Sequence, residues 1–192
     1  MTNHPDQLTR KIQILDNPER QISDPAENLL QLIAIKESAN ILDVGAGTGY
    51  LTIPVAKQTK GTVYALDLDK GILDYLDTKA KNAGLDNVQQ VEGNFTDIPL
   101  KDLSIDVALA SLSLHEVTPL SDALQQINRV LKPEGIFLCV EIEPKEDAKG
   151  PRVNSLTMEK ELLNAGFTIK EKVNLQATFF EEDLYVMIAR KN

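Results

Sequence analysis

Along this chain, short apolar runs alternate with stretches in which apolar residues recur at helical spacing. The runs ILDV (41–44), TVYALD (62–67), VQQVE (88–92), VALAS (107–111) and IFLCVE (136–141) are rich in aliphatic and β-branched side chains and are bounded by Gly, Asp or Asn. That combination predicts strands. Several of them are apolar almost throughout, as expected of strands covered on both faces. Between them, the spacing predicts helices over 48–57, 70–82 and 120–131, the last closed by Lys132 and Pro133 because proline disrupts a helix interior. Strand and helix in regular alternation imply parallel strands joined by right-handed crossovers.

Outside this central run the pattern changes. A helix over 156–164 ends at Ala165-Gly166, and strand-like runs near 167–174 and 179–189 follow, predicted as a hairpin at the sheet edge. Before position 38, Pro5, Pro18 and Pro25 punctuate one or two helices outside the sheet, the second over 25–35, with Asp24 and Pro25 suited to its start. The expected organisation is a helical cover segment over 1–38 and one α/β domain over 39–192. The fold class is a Rossmann-like, doubly wound sheet of seven strands with helices on both faces.

Composition narrows the function. The 192 residues suffice for one domain with a sizeable core, and 42 % hydrophobic with 26 % charged residues is a globular balance. The 29 acidic against 20 basic side chains give a net charge of -9, which disfavours nucleic acid and anionic lipid as partners. The start, MTNHPDQLTR, lacks the apolar core of a signal peptide, and no apolar run is long enough to span a bilayer, so no membrane insertion and a cytoplasmic location are expected. The one cysteine, Cys139, lies in the apolar run IFLCVEI and reads as core. It can form no internal disulfide and no cysteine zinc cluster, and no metal site is expected.

The most informative stretch is ILDVGAGTGYLTIPVA (41–56): a strand containing Asp43, a loop with Gly45, Gly47 and Gly49, then an amphipathic helix. In a doubly wound sheet this first strand-to-helix turn lies where strand order reverses, and ligands bind there. Asp67 ends the second strand, roughly 20 residues beyond the loop, where a carboxylate can accept both hydroxyls of a ribose. A dinucleotide would need a small residue where Tyr50 stands, and Asp43 would be a poor neighbour for two phosphates. S-adenosylmethionine carries no phosphate and has an ammonium and a sulfonium, so both objections disappear.

These residues resemble the class I S-adenosylmethionine-dependent methyltransferases, in the small-molecule branch akin to the ubiquinone and menaquinone methyltransferases. The resemblance covers roughly positions 25–170. ILDVGAGTGY is similar to the motif that surrounds the methionine part of the cofactor, which implies contacts from Asp43, Gly45, Ala46, Gly47, Thr48, Gly49 and Tyr50. ALDLD is similar to the next motif and implies Asp67 on the ribose with Leu68 beside it; EGNFTDIPL resembles the adenine-flanking motif and implies Asn94 and Phe95. The family often has an acid where Asn94 stands, so an amide or the Phe95 backbone would serve. IDVALASLSLHEV resembles the fourth strand and its loop, bringing in Ser111; RVLKPEGIFLCVE and LLNAGF resemble later elements. The resemblance also implies an antiparallel last strand, near 184–189. The Asn-Pro-Pro-aromatic motif of amino-directed nucleic-acid and protein methyltransferases is missing, with Ala110-Ser111-Leu112-Ser113 in its place, which favours a small-molecule acceptor.

Methyl transfer is an in-line displacement, so positioning is the chief requirement and a base helps when the acceptor is a hydroxyl. His115, just after the fourth strand, is the candidate base or substrate contact, whereas His4 lies near the terminus and is assigned nothing. Glu116, Glu141 and Glu143 follow strands four and five and are candidates for an acidic rim or for solvated loop charge. Arg20 could reach a carboxylate from the cover segment, and the polar loop EPKEDAKGPRVN (143–154) could form another wall of the pocket. Two alternatives stay open: a nicotinamide-dependent oxidoreductase on the same sheet, and a non-catalytic binding module.

Overall fold

The structure, a computed structural model, describes residues 4–17, 26–145, 150–179 and 182–192. Arg20, Asp24 and Pro25, on which the cover-segment expectations partly rest, lie outside the described residues.

Seven strands form one sheet in the order β3-β2-β1-β4-β5-β7-β6. They are β1 (Ile41–Val44), β2 (Val63–Asp67), β3 (Val88–Glu92), β4 (Ile105–Ser111), β5 (Leu131–Ile142), β6 (Phe167–Phe179) and β7 (Glu182–Lys191). The first five are parallel, and β7 runs antiparallel between β5 and β6. The expected doubly wound sheet with an antiparallel last strand is therefore what forms. The hairpin is at the edge as anticipated, but its second strand is inserted inward, leaving β6 outermost.

Alternate side chains along each strand feed opposite faces. Leu42, Ala108, Phe137, Cys139 and Met187 pack with Leu124 and Ile127 of α5 (Leu120–Val130) and with Met158 and Leu162 of α6 (Ser155–Asn164). Ile41, Leu109, Leu138 and Val186 pack with Leu29 and Leu30 of α2 (Ala26–Gln31) and Val55 of α3 (Thr52–Ala56). The helix α4 (Lys70–Asn82) lays Leu73 and Leu76 against Ala65 of β2 and Ala46 of the glycine loop. Asp69 caps α4 by accepting from the Gly71 and Ile72 backbone N–H groups, which satisfies two donors that a helix start leaves open. Cys139 is buried, and burial pushes its thiol well above the usual range.

Three helices are shorter than the sequence pattern predicts. The helix predicted over 48–57 begins only at Thr52, because Gly47 and Gly49 hold left-handed backbone. The helix predicted over 25–35 ends at Gln31, where Leu32 and Ile33 make tighter bonds to Leu29 and Leu30 carbonyls. At the other end of the domain, Leu131 has already left α5 to pair with Ile105. The chain then makes a short excursion through Pro133 and left-handed Glu134, and regular pairing resumes at Ile136 opposite Val107.

Strand order reverses between β1 and β4, so the crevice beyond their carboxyl ends is the topological switch point. The glycine loop follows β1, and a 3-10 turn, Leu114–Glu116, follows β4. The remaining helix, α1 (His4–Leu15), lies near this end of the sheet against α4. Among the described residues, no helix is long and apolar enough to cross a membrane.

Candidate functional site

The glycine loop is anchored by its own backbone. The N–H groups of Gly45 and Ala46 both donate to the Leu66 carbonyl of β2 at 2.9 Å. The Gly47 N–H donates to Asp67 Oδ2 at 3.1 Å, and Asp67 Oδ1 accepts from the Asp69 N–H at 3.0 Å. Loop and acid, 20 positions apart, are thus tied into one unit, while the carboxylate keeps lone pairs for a further donor.

Gly45 has φ +76°, and a Cβ there would lie 2.5 Å from Ser113 Cβ and 3.1 Å from Phe95 Cζ. The close approach is held by Ser113, whose hydroxyl donates to the Val44 carbonyl at 2.8 Å. Only a residue without a side chain satisfies both the backbone and the space. Gly49 serves packing instead, since a side chain there would press on Ile53 and Leu76.

These groups surround a cavity of about 480 Å³. One side is the glycine loop, through Gly45 and Gly47, and another is Asp67 with the largely exposed Leu68. Asn94, Phe95 and Thr96 line a third side, and Leu112, Ser113, Glu116, Val117 and Thr118 after β4 a fourth. Lys11, Ile14 and Leu15 of α1 line it as well. Lys11 is ion-paired with Asp69 at 2.9 Å, and Asp16 accepts from the Tyr75 hydroxyl at 2.7 Å and from Lys79 at 3.1 Å. Both clasps fasten α1 to α4.

Of the cofactor contacts that the resemblance implies, Gly45, Gly47, Asp67, Leu68, Asn94 and Phe95 therefore meet at one cavity. Asn94 also turns its own loop, its side-chain oxygen accepting from the Thr96 N–H, and Phe95 is largely core. The others stand behind the lining. Ala46 and Thr48 are buried beneath the loop, and Tyr50 packs toward the α2–α3 face. Ser111 stays in the sheet opposite Val140, and it is Ser113, two residues on, that reaches the cavity. Between them Leu112 adopts φ 53°, which breaks the strand alternation.

Asp43 lies in the core, where Oδ2 accepts the Thr52 hydroxyl at 2.6 Å and so fastens the start of α3. Complete burial, opposed by the Thr52 bond and reinforced by the charge of Asp67, raises its pKa to about 6.

The acidic positions after strands four and five separate. Glu116 lines the cavity, Glu143 accepts the Ser155 N–H at the start of α6, and Glu141 is fully buried. Neither an exposed rim nor solvated loop charge describes Glu141, whose Oε2 lies 2.7 Å from His115 Nδ1. His115 is not among the cavity-lining residues; it is half-buried one step behind them. Burial acts to lower its pKa but is outweighed by the hydrogen bond and charge of Glu141, with Glu116 adding and Arg152 opposing, so it titrates above 6.5.

A raised histidine pKa stabilises the fold fully below the unfolded value and loses that effect as pH rises through the folded value. Wild type should therefore gain over His115→Gln a thermal stability that is constant below pH 6.5 and shrinks above it. Melting curves across pH for the two proteins check this; an advantage that grows toward alkaline pH would contradict a protonated His115.

The family described as a methyltransferase domain matches residues 42–139, from β1 to β5. A demethylmenaquinone methyltransferase of Bacillus pumilus is 30 % identical over 122 residues, covering 62 % of this chain and 52 % of that protein. One from Geobacillus stearothermophilus is 32 % identical over 117 residues, covering 60 % and 50 %. The match thus spans about half the length of these curated relatives. A solved S-adenosylmethionine-dependent methyltransferase of Aquifex aeolicus superposes with a TM-score of 0.82 at 26 % identity, covering 95 % of this chain and 98 % of that one.

Proposed function

Since this chain belongs to the methyltransferase-domain family, we propose that it transfers a methyl group from S-adenosylmethionine to a small-molecule acceptor. The observation that carries this is the bond from Gly47 N–H to Asp67, which sets a side-chain-free loop and a carboxylate on the same cavity. The cavity's volume, about 480 Å³, falls within the roughly 300–1,000 Å³ of small-molecule sites.

The cofactor fits the groups present. Asp67 would accept the ribose hydroxyls, Leu68 and Phe95 would offer apolar surface to the adenine, and Asn94 a polar edge. Gly45 and Gly47 would let the methionine end lie against the backbone, and Ala46, Thr48, Gly49, Tyr50 and Asp43 would support that loop from behind. When bound, the cofactor supplies an electrophilic methyl group on a sulfonium. Within the proposed cover segment, α1 would supply one wall, with Ile14 and Leu15 as its apolar surface toward the cavity.

The acceptor must sit about 3 Å from the methyl carbon, opposite the sulfur. It is a small molecule, a reading supported by the likeness to demethylmenaquinone methyltransferases and by a net charge of -9 that opposes polyanions. His115 is the proposed base, standing one step behind the Ser113 and Glu116 wall of the cavity. With Nδ1–H donated to Glu141, Nε2 is the nitrogen left to take a proton.

Thermal unfolding with S-adenosylmethionine, S-adenosylhomocysteine and NAD tests the reading. A ligand at 100 times its dissociation constant adds about 2.7 kcal/mol to stability. The first two ligands should raise the midpoint and NAD should not; a rise with NAD alone would overturn the proposal.

A further inference from the structure

The cavity wall after β4 is held from behind by a carboxylate that stands in an otherwise apolar stretch of strand. Glu141, next to last in β5, is fully buried between Val140 and Ile142, both core residues. Its Oε1 accepts the Leu114 N–H at 2.8 Å and the His115 N–H at 3.3 Å, and its Oε2 holds His115 Nδ1 at 2.7 Å. A carboxylate is tolerated at such depth only when its lone pairs are filled. Here all three donors come from the 3-10 turn that follows β4. The residue before that turn, Ser113, bonds the Val44 carbonyl and abuts Gly45. An unbroken series of contacts therefore leads from the end of β5, through the turn, to the glycine loop.

We propose that Glu141 is a positioning residue for the cofactor cavity, fixing the turn after β4 at the separation from Gly45 that the ligand needs by accepting the Leu114 and His115 N–H groups. The proposal rests on the reading that this cavity takes S-adenosylmethionine. Reach, more than charge, is what the geometry uses, because both backbone donors converge on one oxygen. The same strand pair braces the neighbouring loop: Tyr185 of β7, opposite Glu141, donates its hydroxyl to the Val153 carbonyl at 2.7 Å. Among the groups around Glu141, burial raises the pKa values of Cys139 and Tyr185, and His115, which faces Glu141, Glu116 and Arg152, has its own raised by the Glu141 bond and charge against its burial.

Two variants separate reach from charge. Glu141→Gln keeps an oxygen at the same distance from both N–H groups and offers its amide to neutral His115. Glu141→Asp keeps the charge and falls one methylene short. Calorimetric titration with S-adenosylhomocysteine at pH 8, alongside the thermal midpoint of each variant, should give Glu141→Gln an affinity within about threefold of wild type and Glu141→Asp one weaker by about tenfold, the effect of a lost buried hydrogen bond. Wild-type affinity in Glu141→Asp, or equal losses in both variants, would overturn the positioning role. No binding to wild type would instead sink the assignment of the cavity, and the role with it.

Discussion

Replacing Gly45 by alanine should lower stability by about 2–5 kcal/mol, combining about 1–2 kcal/mol for left-handed backbone with about 1–3 kcal/mol for overpacking. The reason is local: the new methyl carbon would stand 2.5 Å from Ser113 Cβ, and Ser113 is tied to the Val44 carbonyl on one side and followed by the Glu141-held turn on the other. Gly84 provides the control, since it too has positive φ, at 71°, yet has nothing within 4 Å of a built Cβ. Gly84→Ala should show the backbone part alone. Urea denaturation of both variants reads the difference, and titration with S-adenosylhomocysteine should show binding lost in Gly45→Ala and kept in Gly84→Ala. Equal midpoints for the two would mean that the Gly45–Ser113 approach carries no weight.

The second large effect concerns affinity. Asp67→Ala is expected to weaken S-adenosylmethionine binding by about a hundredfold or more, because two hydrogen bonds to a charged acceptor, each worth about 1.5–3 kcal/mol, disappear together. Part of the loss would come from the loop, whose Gly47 N–H would lose its acceptor. The fold should persist, as Asp67 is only half-buried and ends its strand at the rim of the sheet. Calorimetry against the unchanged circular dichroism of the variant checks both statements. A dissociation constant equal to that of wild type would remove Asp67 from the site.

Much of this arrangement was legible in the chain, for reasons that differ by element. Strands β1 and β3 matched their predicted bounds, since apolar runs edged by Gly, Asp and Asn have few other ways to be covered. The helix α4 matched because Asp69 caps it and its apolar spacing is unbroken. The meeting of Gly45, Gly47 and Asp67 followed from topology, which requires the turn after β1 and the end of β2 to be neighbours.

What was not legible depends on side-chain direction at strand ends. Ser111 was anticipated at the cavity and Ser113 was not, because the left-handed turn at Leu112 is invisible in a sequence of Ser and Leu. Glu141 suggested loop charge, since a carboxylate near the end of an apolar run has no evident partner until β4 and β5 are laid side by side. Only then do the Leu114 and His115 N–H groups appear beside it. The shortness of α3 was hidden for a related reason: helical spacing of apolar residues continues back through a loop that the glycines in fact unwind.

The inward placement of β7 has a consequence for how the protein is made. Residues 41–142 contain β1 to β5, yet β5 lacks its second neighbour until residues 184–190 can pair along it. As the chain leaves the ribosome, a strand as apolar as Phe137-Leu138-Cys139-Val140 stands as an open edge, the kind of surface that recruits other chains. The pairing that covers this edge is thus among the last the chain can make. Chains ending before residue 184 would keep that edge open and are expected to aggregate, which sedimentation of the truncated protein checks.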